Sequence, residues 1–414
     1  MALLPTTRFK ENSYKPLQHA NEVLMITRED LRQLADFECR ANEYAISFYF
    51  QPGVPKDKSH REEGIQAKEL VRKTIQELQQ NGRSAKAIQD LERILRIAEA
   101  LHGNEGFAKV VFSCAERNLW REFDVPPVQL STRLFVNRRF HLKPLAALFS
   151  EYPKLWVALV DRQSARVLEV EFGEIRQQMS ITNPIPRHGR SDGFGGYDGG
   201  HAQRHKEDEV RRHYRELAEF LKNGDQRRLF DAVVLGCNDV NWPELQAQLH
   251  PDVAKKTLGH FSGEIAAMPD ERAVSEALRV AQATLRKHHS SLLGETLDEA
   301  RAHRRGVTGL RRVLRALELG EIDTLLMSQD YSARAVECTN CRHLDSHLVA
   351  YCPVCGHATR ELEDVCEVLV PIAVRNNLGL VLLPRDETID KVGNIAALLR
   401  FRADRNTNQL RAAS

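Results

Sequence analysis

The chain has 414 residues, 42% of them hydrophobic and 28% charged, which excludes a disordered polymer and leaves room for two or three domains. No apolar run approaches the roughly 20 residues that span a bilayer, and the start, with Arg8, Lys10, Glu11 and Asn12, lacks the apolar centre of a secretory signal; the expected location is the cytoplasm, with no membrane partner. A net charge of only +2 argues against a general affinity for nucleic acid: no DNA partner is expected, and any RNA contact must come from local clusters of Lys and Arg.

In chain order, the pattern reads as an α/β protein of three mixed α/β domains, the last carrying a zinc-ribbon insertion. The first block, residues 1–150, opens with an extended segment. A helix follows, begun by Thr27 with Asp30 three residues on, a variant of the capping box. A strand is expected at Ala45–Phe50, stopped by Gln51-Pro52-Gly53. Two amphipathic helices come next, one with Ile65, Val71, Ile75 and Leu78 as its apolar positions, the other with Ile88, Leu91, Ile94, Leu95 and Ile97. Strands near Lys109–Phe112 and Leu134–Val136 complete this block.

The second block, residues 151–300, begins with an apolar strand at Leu155–Val160, a turn at Asp161–Ala165 and a strand at Arg166–Phe172. A glycine-rich loop occupies residues 191–200. A basic helix over 203–222 follows, with Val210, Tyr214, Leu217 and Leu221 at helical spacing and Asn223-Gly224 as its stop. Ala232–Leu235 reads as a buried strand, with further helices to about residue 300. The third block, residues 301–414, has a helix at Leu310–Leu319 stopped by Gly320, a strand at Ile322–Met327, a helix or strand at Val365–Arg375, a strand at Leu378–Leu383 and an apolar stretch at Ile395–Phe401. The last dozen residues are polar and expected to fray.

The sharpest motif lies inside the third block. Of eight cysteines, Cys338, Cys341, Cys352 and Cys355 fall within eighteen residues, as two CxxC pairs. Paired thiolates at this spacing can converge on one tetrahedral Zn2+, and four of them leave no open position, so the ion is structural. Gly356 suits the tight positive-φ turn that ends such a knuckle. A redox CxxC needs one pair at a helix N-terminus, not two pairs. His343, His347 and His357 lie nearby but are not needed as ligands, and Cys39, Cys114, Cys237 and Cys366 read as buried thiols.

The second motif is the run Ser191–Gly200, with five glycines in ten residues. Such a backbone can approach a crowded surface without side-chain clash. Arg187, His188, Arg190, His201, Arg204, His205 and Lys206 flank it, and Arg204, Arg211 and Arg215 share one helical face. A local positive tip of this kind suits a phosphate backbone; the plainer alternative is a solvated loop with a charged helix. Gly193-Phe194-Gly195 begins a GxG pattern, but no strand–glycine–helix unit with a downstream acid makes it a nucleotide fingerprint.

The order of these parts resembles the archaeal and eukaryotic class I peptide chain release-factor and Pelota family, and in particular its bacterial relatives, including Balon-type ribosome hibernation factors. Gly195-Gly196-Tyr197 stands where the family has its GGQ loop, and residues 211–219, from Arg211 to Glu219, look like the helix that follows it. The run Leu317–Ser328, the zinc knuckles and the closing run Val392–Phe401 match the family's third domain more closely, and Lys256-Thr257-Leu258-Gly259 sits where a lysine-and-glycine turn is common. The sequence departs from the family in having no NIKS tetrapeptide and no YxCxxxF motif, the stop-codon readers, and in placing Tyr197 where the catalytic loop has glutamine. A second glycine pair continues into Gly199-Gly200-His201-Ala202-Gln203.

The resemblance implies a ribosome-binding translation factor that occupies the tRNA-like space of the A site against ribosomal RNA, with an elongation-factor-type GTPase as a candidate partner. The RNA-binding residues would be Gly195, Gly196, Tyr197, Gly199, Gly200, His201, Gln203, Arg204, Arg211 and Arg215, with no catalytic residue assigned. The lost motifs fit a hibernation, stress or rescue role better than stop-codon-specific termination. The alternative is a peptidyl-tRNA hydrolase using the glycine-rich loop, for which His201 is the candidate base; whether the chain is an enzyme stays open at this point.

Overall fold

The computed structural model describes residues 10–12, 25–40, 43–51, 61–80, 85–100, 108–125, 130–182 and 199–403, with side chains in the helix Gly199–Gln226 described from Glu207 onward. Most of the expected N-terminal extended segment, the Pro52-Gly53 stop, residues 187–198 and the polar C-terminal tail lie outside them. The chain is a mixed α/β protein with four sheets among the described residues, and it divides into two compact units: Met1–Ala20 with Glu151–His288, and Asn21–Ser150 with His289–Ser414.

The first unit is built on Leu155–Val160. All six of its residues are buried, which is why the sequence there is an unbroken apolar run rather than an alternating one. Trp156, Ala158 and Val160 face one core, and Leu155, Val157 and Leu159 face the other. On one side the sheet continues antiparallel through Ser164–Glu171, Glu174–Thr182 and Lys10–Asn12; on the other it continues parallel through Ala232–Gly236 and Thr257–Phe261. The expected stripe Val210, Tyr214, Leu217 and Leu221 packs on the first face, and Ala273, Val274, Ala277 and Ala281 of the helix Asp270–Arg301 pack on the second.

Two boundaries of the basic helix differ from expectation. It starts at Gly199, so the second glycine pair is helical backbone and not loop, and it runs through Asn223-Gly224 to Gln226. Gly224 is there for space rather than for a stop. A Cβ at that position would lie 2.5 Å from the Trp156 ring, which is wedged between Phe220 and Phe230 at centroid distances of 5.3 and 4.8 Å.

In the second unit, Leu119–Val125, Ala108–Cys114, Ala45–Phe50 and Arg133–Asn137 form an antiparallel sheet in that order. The helices Arg61–Gln80 and Ala85–Ala100 cover one face, through Ala67, Val71, Leu78, Leu91 and Ile94. Ile65 does not join them and is 49% exposed; six residues before Val71, it lies about 120° away around the helix. The helix Arg28–Ala35 has the expected capping box, Asp30 N–H donating to Thr27 Oγ1 at 3.1 Å and Thr27 N–H to Asp30 Oδ2 at 3.0 Å. It packs on Cys366–Arg375, which is a helix despite its internal Pro371.

A further four-stranded sheet in this unit runs Gly306–Thr308, Ile395–Leu399, Ile322–Ser328, Gly379–Leu383. The helix Leu310–Glu318 ends as expected before Gly320, whose φ is +68°.

Candidate metal centre and basic helix

The four cysteines of the double CxxC motif converge. Ala335–Cys338, Leu344–Asp345 and Thr359–Leu362 form a small antiparallel sheet, and the two knuckles project from it. Sγ of Cys338 lies 3.4 Å from that of Cys355, Sγ of Cys341 lies 3.6 Å from that of Cys352, and all four lie within 4.8 Å of one another. A disulfide would bring a pair to about 2.0 Å, whereas a tetrahedral ion with metal–sulfur bonds of about 2.3 Å sets the sulfurs about 3.8 Å apart.

The knuckles are near copies. Cys338 N–H donates to His343 O and Cys352 N–H to His357 O, both at 2.8 Å. The residue after each pair is left-handed: Gly356 at φ +73°, as the sequence suggested, and Arg342 at φ +64°, which the sequence did not announce. Backbone N–H groups of Asn340 and Cys341 donate to Cys338 Sγ and that of Val354 to Cys352 Sγ, each at 3.4 Å. Such donors stabilise thiolates; among the crowded sulfurs Cys355 is brought down to about 5, first by the backbone hydrogen bond from His357, while the neighbouring sulfurs push Cys341 up. The three nearby histidines are otherwise engaged, His343 with Glu318, His347 with Asp345 and His357 with Cys355 O.

Beside the centre sits a charge network that sequence reasoning missed. Glu337, next to Cys338 and 2% exposed, takes both arms of the Arg139 guanidinium, at 2.9 and 2.7 Å, and Arg360 at 2.7 Å. Glu38 accepts from Arg139 at 2.9 Å and from Arg342 at 2.6 Å. Burial alone would raise Glu337, but the hydrogen bonds and charges of Arg139 and Arg360 bring it down to about 2. The arrangement fixes the knuckles against residues 38 and 139 of the first sequence block. No periodicity could reveal a pair 198 residues apart.

The glycine-loop residues divide by position. Gly195, Gly196 and Tyr197 lie outside the described residues; Gly199, Gly200, His201, Gln203 and Arg204 lie in the first turns of the helix Gly199–Gln226, where only backbone is described. Arg211 and Arg215 are exposed one turn apart, and Arg215 Nε donates to Arg211 O. Arg211 meets Glu244 at 3.0 Å and Asp208 at 3.7 Å, and Arg212 meets Glu209 and Glu216. The basic face is therefore partly paired on the surface. Pairs of this exposure are worth roughly 0–1 kcal/mol, little enough for a phosphate to displace the acid.

Residues 141–289 match the family model described as Bacterial archaeo-eukaryotic release factor family 10. Peptide chain release factor subunit 1 of Thermococcus kodakarensis is 22% identical over 428 aligned positions, covering 93% of this chain and all of that protein. The protein of the same name from Pyrococcus abyssi is 24% identical over 67% of this chain and 74% of its own length. Among solved structures, Dom34 of S. cerevisiae, described as a translation termination-like factor, aligns over 91% of this chain and 94% of its own at 11% identity and a TM-score of 0.40.

Proposed function

We propose that the chain, which resembles archaeal release factors and their bacterial relatives, is a ribosome-binding translation factor that enters the A site without reading stop codons. One observation carries the reading: the chain aligns with the whole length of an archaeal release factor while lacking the NIKS and YxCxxxF motifs and having Tyr197 at the glutamine position. In this reading the chain keeps A-site occupancy without peptide release, as a hibernation role asks.

In this reading the helix Gly199–Gln226 is the contact element. A helix N-terminus offers backbone N–H groups that have no intrahelical partner and the positive end of the helix dipole, and glycines at 199 and 200 let a phosphate backbone come close. Arg204, Arg211 and Arg215 would supply charge along the next turns. Ester hydrolysis needs a water in line with its acceptor, and a misplacement of about 1 Å costs about 100-fold; a bulky aromatic Tyr197 in place of a glutamine amide that accommodates the water works against it. The ribbon cysteines fit a structural Zn2+ by donor set and sulfur spacing, and the ion would supply folding free energy rather than catalysis. An elongation-factor-type GTPase is the partner this family role suggests.

The test compares ribosomes programmed with stop and sense codons and carrying labelled peptidyl-tRNA. Equal binding within a few-fold and no peptide release are the expected results. A tenfold preference for stop codons, or fast release abolished by Gly200→Ala or His201→Ala, would replace the proposal with the hydrolase reading.

A further inference from the structure

A second cluster of metal-binding type lies in the first sequence block, away in sequence from the ribbon. Cys114 ends the strand Ala108–Cys114 and precedes the short turn Ala115–Arg117. Cys39 lies between the helix Arg28–Ala35 and the strand Ala45–Phe50, held by its N–H to Arg138 O at 2.8 Å. The two sulfurs are 3.7 Å apart and buried. Glu43 completes the group: one ligand atom from each of the three residues lies within 4.8 Å of the others.

The surroundings are wrong for inert core thiols, which sit among apolar side chains. Glu43 closes the cluster on one side, and Glu116 Oε2 stands 3.7 Å from Cys114 Sγ on another. Glu43 is held by two donors on the same oxygen, Oε2: Arg40 N–H at 2.7 Å and Arg117 Nε at 2.8 Å. Outer hydrogen bonds of this kind orient a carboxylate that ligates a metal. Two thiols and two acids gathered at one point, with Arg117 as the nearby cation, form a set that a dication would neutralise.

We propose that Cys39, Cys114 and Glu43 bind a thiophilic divalent ion of the zinc class. The sulfur separation matches the edge of about 3.8 Å that a tetrahedral ion with bonds near 2.3 Å imposes, and mixed thiolate and carboxylate donors are within the repertoire of zinc. Binding displaces the two thiol protons to solvent. Glu116 or a water takes the fourth position. The ion pins the connection after the helix Arg28–Ala35 to the end of the central strand Ala108–Cys114. It shares no ligand with the ribbon, and the inference does not rest on the ribosome-binding proposal.

The experiment is metal analysis of the full chain, purified reduced and without chelator. Two equivalents of zinc are expected in the wild type, one in Cys338→Ser/Cys352→Ser and one in Cys39→Ser/Cys114→Ser. Because the second double variant removes buried groups, Glu43→Gln serves as the milder change: both thiols remain, and chelator competition should find zinc at this site held at least tenfold more weakly. Cobalt loaded into the ribbon-less variant should give thiolate charge-transfer absorption about half as intense per ion as the ribbon gives. One equivalent in the wild type that vanishes with the ribbon cysteines would overturn the proposal. So would a non-reducing mass spectrum showing a Cys39–Cys114 disulfide and no second ion.

Discussion

Removing the Arg139 guanidinium is the sharpest perturbation of the second unit. Arg139 and Glu337 are 6% and 2% exposed and meet through two hydrogen bonds. In Arg139→Met the carboxylate stays buried, with Arg360 at 2.7 Å and Arg342 at 3.4 Å as its remaining cations. Breaking one side of a buried pair costs about 3–5 kcal/mol. The depression of Glu337 from 4.5 to about 2 is the net of its cations over the opposing burial; that net is worth roughly 3 kcal/mol, so the cations together contribute more. With Arg360 still in place, a loss of about 3 kcal/mol is expected.

Urea titration of the full chain measures it, with Trp120 fluorescence reporting from the same unit. The double variant Arg139→Met/Glu337→Leu should recover at least about 1.5 kcal/mol, because neither charge is then left buried alone. Acid sensitivity gives a second readout. A depressed carboxylate lends stability that is complete above its unfolded value, here 4.5, and is lost as pH falls towards about 2. Arg139→Met should flatten that fall. A single variant costing under about 1 kcal/mol with an unchanged acid profile would refute the reasoning.

Three further outcomes follow from named contacts. Burial pushes Glu367 up to about 7, so the stability tied to its neutral form is full below 4.5 and lost as pH rises through 7; Glu367→Gln should gain on the order of 1–3 kcal/mol at pH 8 in the same titration. Gly224→Ala should destabilise the first unit by about 1–3 kcal/mol despite the better helix former, since the new Cβ meets a Trp156 ring that Phe220 and Phe230 hold in place; a thermal melt no lower than wild type would contradict this. Replacing Arg204, Arg211 and Arg215 with Ala should weaken RNA binding and reduce its salt slope by roughly one unit per lost phosphate contact, measured by titration at several salt concentrations.

Much of this was legible in the sequence, for identifiable reasons. Leu155–Val160 is apolar throughout because both its faces are covered, and Thr27 with Asp30 form a cap within four residues; such signals are local. The knuckles announce themselves because all four ligands fall in one short segment. Polar strands stayed hidden: Arg121 interrupts the row Leu119, Phe123 and Val125, and Gln177 interrupts the row Ile175, Met179 and Ile181, so the alternation that marks a half-buried strand is broken in both. Contacts between distant segments were equally silent. Glu337 reads as an ordinary surface acid until Arg139 arrives, Gly224 reads as a helix stop until Trp156 fills the space beside it, and Cys39 and Cys114 meet across 75 residues.

Co-sedimentation of the full chain with vacant ribosomes and with ribosomes whose A site is filled by tRNA decides whether the protein occupies the A site. The protein should pellet with vacant ribosomes at low salt, be released as salt rises, and be excluded when tRNA holds the A site. Protein that stays in the supernatant at low salt, or that pellets equally whether or not the A site is filled, would contradict that occupancy.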